Sequence, residues 1–209
     1  MALSSKALQQ KRTKKAAKRK AAKKSSSPAK TPMAVEWLAA ADAPIADVYT
    51  PDGLFETGIG SVWFSRRLEN GHYALSAFLV DTFCLGVKNA MYSLVSAAKY
   101  EEELERFLKH SGETFAACEP TYARKLVELA IAYARELGLE PHPDYKIAKI
   151  IFGDVDASQS DAVFTFGRDG NPIYIPGPSD TLSEQRRIIK QLEKVNKDPL
   201  GMLLSGIDD

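Results

Sequence analysis

The sequence predicts an α+β fold, a single domain with a mainly antiparallel sheet built on β-hairpins, helices packed on one side of it, and a disordered basic arm in front. Three observations lead there. Two apolar, β-branched and aromatic runs flank Asn70-Gly71 within the stretch 58–92, and Asn-Gly supplies the positive φ that a tight hairpin turn needs. Later segments repeat apolar residues at helical spacing. Thr181-Leu182-Ser183-Glu184 has the form of a capping box that opens a helix.

Residues 1–32 hold 11 basic residues, Lys6, Lys11, Arg12, Lys14, Lys15, Lys18, Arg19, Lys20, Lys23, Lys24 and Lys30, and no Asp or Glu. With almost nothing to bury, this stretch reads as a disordered tail, because burial cannot offset the entropy of ordering. Ala and Lys are good helix formers, so residues 4–24 could become helical once an anionic partner relieves like-charge repulsion. Ser25, Ser26, Ser27, Pro28, Thr31 and Pro32 read as a linker, and the single α+β domain is expected over 33–209. That domain keeps 17 of the 28 basic residues against all 27 acidic ones, a net charge of −10 that the chain total of +1 conceals.

A short helical turn is expected over 35–41, carrying Trp37 and Leu38, then a turn at Thr50-Pro51-Asp52-Gly53. In the hairpin, a two-residue turn at Asn70-Gly71 sets Leu68 opposite Tyr73, Arg66 opposite Leu75, Phe64 opposite Ala77 and Val62 opposite Leu79, with one face as core. The second strand runs on through Leu85 and is too apolar for an edge, so it is placed centrally. Residues 89–100 read as helical or irregular. Tyr100, Leu104, Phe107 and Leu108 mark an amphipathic helix that stops at Gly112. Pro120 opens a second helix, with Tyr122, Leu126, Leu129, Ala130, Tyr133 and Leu137 as its stripe. Pro141-His142-Pro143 must be extended, with Asp144 capping a short helix through Phe152. A second hairpin is expected at 162–175 around Arg168-Asp169-Gly170-Asn171, and a last helix over 182–196 turns Ile188, Ile189, Leu192 and Val195 to the body.

Asp81 is the first candidate for chemistry, because a carboxylate inside Phe78-Leu79-Val80-Asp81-Thr82-Phe83-Cys84 is costly to bury unless paired or used. The structural alternative puts it at a sheet end, accepting hydrogen bonds from the backbone or Lys88. Cys84 reads as a small buried hydrophobe. His142, fixed between prolines and followed by Asp144, could serve acid/base work or equally be part of a turn. With Asp81, His142 and Asp144 as candidate catalytic residues, a metal-assisted hydrolase or nuclease would recruit Asp154 or Asp156. Turn chemistry explains Asp154, Asp156 and Asp161 with fewer assumptions. The segment from Pro176 to Thr181 leads into a helix N-terminus, where backbone N–H groups could hold an anion. The chain has no P-loop, strand-borne GxGxxG, GxSxG or HExxH. The spacing of its two cysteines, Cys84 and Cys118, fits no zinc pattern. Neither a cofactor nor a metal is expected. No membrane span or signal-peptide core is legible, and two cysteines suit a reducing cytoplasm.

The pieces FLVDTFCLGVKNA, YARKLVELAIAYARELGLEPHPDY and FTFGRDGNPIYIPGPSD, with the opening SSKALQQKRTKKAAKRK, resemble an uncharacterised family of bacterial proteins over about residues 54–195. The resemblance implies a bacterial, intracellular origin and one continuous domain, and brings no activity with it. Function is therefore read from charge. Lys11, Arg12, Lys14, Lys15, Lys18, Arg19, Lys20, Lys23 and Lys24 are the candidate nucleic-acid-binding residues, with RNA favoured over DNA and a ribosome-associated role included. A protein-interaction module, or self-association through a sheet edge or exposed Trp37 and Trp63, is the third reading. The acidic domain should compete with the arm's target at low salt, so the isolated arm peptide is expected to bind an RNA more tightly than the whole chain does. The gap should close as salt screens the charges. Parallel titrations of peptide and chain check this.

Overall fold

The computed structural model describes residues 32–110 and 112–195; the expected basic tail lies outside the described residues. Five strands, β1 (Ile45–Pro51), β2 (Ile59–Arg67), β3 (Tyr73–Asp81), β4 (Gly86–Val95) and β5 (Phe115–Ala117), form one sheet in the order β4-β3-β2-β1-β5. Every pairing is antiparallel. The described helices are α1 (Pro32–Ala39), α2 (Leu54–Thr57), α3 (Ala97–His110), α4 (Pro120–Glu136), α5 (Tyr145–Ala148) and α6 (Leu182–Val195). The α+β class, the antiparallel sheet and the interior position of β3 are those the sequence predicts. Residues 89–100 differ, because Gly86 at φ 65° turns the chain back and most of this stretch pairs with β3 as β4.

The hairpin register is one residue away from the expected one. Phe64 lies opposite Ser76 and Val62 opposite Phe78, because the turn holds three residues, Glu69, Asn70 and Gly71. The Leu68 N–H donates to His72 O at 2.8 Å and the Gly71 N–H to Leu68 O at 3.0 Å, with Gly71 alone of the three in the left-handed region, at φ 80°. This is a turn followed by a bulge, and such a shift moves every side chain relative to its expected cross-strand partner.

Side chains of both faces are buried. Val62, Phe64, Ala74, Phe78 and Val80 meet Leu126, Val127, Ala130, Ile151 and Phe152 on one side, whereas Trp63, Leu75 and Ala77 meet Tyr100, Leu104 and Phe107 of α3 on the other. The helices are therefore not confined to one side. Alternation explains why: β2 and β3 are apolar at successive positions, so each face needs its own cover. Trp37 and Trp63 are buried, Trp37 against Tyr92 and Trp63 against Phe107, and do not form the exposed aromatic surfaces of the interaction reading. On α4 the buried stripe is Ala123, Leu126, Val127, Ala130, Ile131 and Ala134, while Leu129 turns outward.

The second hairpin is reduced to its turn. Arg168 and Asn171 exchange two backbone hydrogen bonds around Asp169 and Gly170, both at positive φ, but no strand continues from them. Phe164 and Phe166 pack on Phe55, Tyr122 and Tyr133 instead, so aromatic contacts with helices replace a strand ladder.

One buried cation ties three segments together. Arg66 on β2 donates from Nε to Ile151 O at 2.6 Å, from Nη1 to Ala43 O and from Nη2 to Phe152 O at 2.8 Å. Gly153 follows those carbonyls at φ 53° and ψ −127°, and a Cβ there would come within 2.0 Å of Ala41 O. Gly153→Ala is expected to destabilise by at least about 1–3 kcal/mol, from backbone strain before any clash is counted. Urea unfolding of the two chains checks it.

Candidate functional site

Asp81 ends β3, and the four residues after it form a tight turn into β4. Its Oδ1 accepts the N–H groups of Phe83 at 2.9 Å, Cys84 at 2.8 Å and Leu85 at 3.2 Å. Burial pushes the carboxyl's pKa up, and the three donors oppose that push. Cys84 is wholly buried, and burial with the neighbouring Asp81 charge raises its thiol pKa far above the ordinary value, so it is no thiolate nucleophile here.

His142 and Asp144 stand together on the loop before α5. The His142 N–H donates to Val87 O at 2.9 Å, which fixes the proline-flanked loop to β4. The expected side-chain cap from Asp144 is not made; the imidazole accepts the Asp144 N–H at Nδ1, at 3.3 Å. That bond leaves the proton of a neutral ring on Nε2. The Asp144 carboxylate lies 3.9 Å from the same Nδ1.

A cleft of about 370 Å³ opens beside this loop, lined by His142, Lys88, Asp180, Glu184 and Arg187 over an apolar floor that includes Leu85, Val87 and Ile188. Asp81 is not among its lining residues. Asp180 organises one wall: its Oδ2 accepts from Lys88 Nζ at 2.7 Å, Tyr174 OH at 2.7 Å and the Gly177 N–H at 2.8 Å. The anion that the sequence allowed near the start of α6 is thus supplied by the chain itself. Thr181 and Glu184 form the expected capping box, with Thr181 N–H to Glu184 Oε2 at 2.9 Å and Glu184 N–H to Thr181 Oγ1 at 3.3 Å.

Burial alone would raise the Asp180 pKa, but Lys88, Gly177 and Tyr174 outweigh it and hold the carboxyl below its ordinary value. A carboxyl depressed in the fold stabilises above its unfolded pKa, near 3.9, and loses that contribution as pH falls through the folded value. Asp180→Asn is therefore expected to lower the melting temperature at pH 7 and to narrow its gap from the parent chain between about pH 4 and pH 2. Melts across that range check this.

The remaining acidic candidates are held elsewhere. Asp154 is exposed and lies 3.7 Å from Arg66, and Asp156 caps a 3-10 turn by accepting from the Ser158 N–H and Oγ. Among the described residues, no three His, Cys, Asp or Glu side chains gather so as to hold a metal ion. The structure brings His142 and Asp144 together and adds Asp180 and Arg187, which sequence reasoning missed, and Lys88, which the sequence offered to Asp81 and which pairs with Asp180 instead. The pairing of Lys88 with Asp180 spans 92 positions, and only folding brings it about.

The chain matches no family model, no curated protein and no solved structure. Among the described residues, no helix is long and apolar enough to cross a membrane.

Proposed function

We propose that the protein associates with nucleic acid in the cytoplasm, RNA before DNA, through the basic arm formed by Lys11, Arg12, Lys14, Lys15, Lys18, Arg19, Lys20, Lys23 and Lys24. The observation that carries this reading is the partition of charge, 11 basic residues and no acidic one over 1–32 beside a remainder of net −10. Cations in that density neutralise phosphates without a shaped pocket, and the counterions they release supply affinity. Asp81, the first candidate for chemistry, is engaged by the N–H groups of its own turn, which favours the reading indirectly.

The test compares the full chain with a full chain in which the basic residues of 1–32 are replaced by Gln, titrated against single-stranded RNA and duplex DNA at two salt concentrations. The parent chain should bind with an affinity that falls steeply with salt, by a logarithmic slope of up to about 6 if nine cations engage single-stranded RNA. The substituted chain should lose most of that affinity and of the slope. Undiminished binding contradicts the proposal.

A further inference from the structure

We propose that the folded unit carries a second nucleic-acid contact, the solvent face of α6, where Arg186, Arg187, Lys190 and Lys194 take the phosphate backbone of the strand that the arm recruits. This inference rests on the proposed arm-borne binding and adds a fixed site to it. The four cations are all exposed, while Ile188 and Leu192 on the opposite side are buried among Leu85, Leu137, Leu139 and Tyr174. Helical geometry sets Arg186, Lys190 and Lys194 in one row at intervals of about 6 Å, with Arg187 beside it.

What separates this row from an ordinary solvated face is that its cations are held in no ion pair with a described carboxylate, although Glu193 lies on the same helix one turn from Lys190. On α3, Lys99 pairs with Glu102 and Glu103, Arg106 with Glu103 and Lys109 with Glu105. On α6 none of the four cations makes a salt bridge with a described carboxylate. Glu184 feels the charge of Arg187 but its oxygen is engaged by Thr181, and Lys194 Nζ donates to Gln191 Oε1 at 3.5 Å. Leaving four like charges on one helix face, three of them in a row, disfavours the helix slightly and fits a polyanionic partner. The row reaches the cleft, because Arg187 lines it together with Lys88 and His142. An anionic membrane surface suits the helix less well, since the apolar residues Ile188 and Leu192 are already committed to the core.

The test uses four full chains: the parent, the arm substituted by Gln, the α6 set Arg186→Gln, Arg187→Gln, Lys190→Gln and Lys194→Gln, and both together. Each is titrated against single-stranded RNA, duplex DNA and vesicles containing phosphatidylserine. The α6 set should weaken RNA or DNA binding at least about tenfold at low salt and cut the salt slope by up to about 3, near 0.7 for each phosphate no longer neutralised. The arm-substituted chain should keep a residual, salt-dependent binding that the combined chain lacks. Parent binding unaffected by the α6 set would overturn this inference and leave the arm reading standing, whereas no binding by the parent would overturn both. Vesicle binding that the α6 set abolishes while nucleic-acid binding persists would also overturn it. If the quadruple chain melts early, the pairs Arg186→Gln/Lys190→Gln and Arg187→Gln/Lys194→Gln read the same slope in halves.

Discussion

Arg66→Met is expected to destabilise the protein by about 3–5 kcal/mol. The guanidinium is almost wholly buried and supplies donors to Ile151 O, Ala43 O and Phe152 O. Met keeps much of the volume, so the loss is electrostatic: three carbonyls give up donors, each at a cost of about 1–3 kcal/mol where water cannot replace them. Burial lowers the arginine pKa, and Asp154 and Asp42 pull it back. The Asp154 carboxylate is nearly fully exposed and should matter little, so Asp154→Asn serves as the control. Urea unfolding of the three chains tests this, and a loss below about 1 kcal/mol for Arg66→Met would show that the carbonyls find other donors.

Asp81→Ala should cost about 2–4 kcal/mol, since it strands the N–H groups of Phe83, Cys84 and Leu85 in a buried turn. Asp81→Asn retains an acceptor oxygen and should recover more than half of that loss. The turn also carries pairing with two distant segments, Thr82 O accepting from the Gly167 N–H and Phe83 O from the Ile173 N–H. Loosening it should therefore release 167–173 from the body. Limited proteolysis near Arg168, faster in Asp81→Ala than in the parent chain, reads that coupling.

Much of the fold was legible because local chemistry agreed with it. Pro120 at the start of α4, Thr181 and Glu184 at the start of α6 and the helical spacing from Tyr100 to Phe107 each carry their own signal. The hairpin was legible as a hairpin, but its register was not. Asn70-Gly71 suits both a two-residue and a three-residue turn, and β2 and β3 are apolar at successive positions, so no polar face marked the frame. The strands β1 and β5 escaped notice because Thr50-Pro51 reads as a turn and Phe115–Ala117 is only three residues long. At the candidate site, His142 and Asp144 are neighbours in sequence and were visible together. Tyr174 and Asp180 share one local segment, but Lys88 lies 92 positions before Asp180 and no sequence pattern joins the two.

The cover that α3 gives the sheet bears on how the protein opens. Trp63, Leu75, Ala77 and Tyr100, with Phe107 behind them, share no buried side chain with the larger cluster on the other face, and the two are joined through the backbones of β2 and β3. Such a layer can come away as a cooperative unit with its own free energy, smaller than that of the whole. Hydrogen exchange in the native protein should then resolve two classes of protected amides. Those of α3 would open together in a sub-global event, and those of β3 only when the whole domain unfolds. The Tyr100 hydroxyl, which meets Ser65 Oγ and Asp47 Oδ2 at 2.6 Å each, is the latch of the first class.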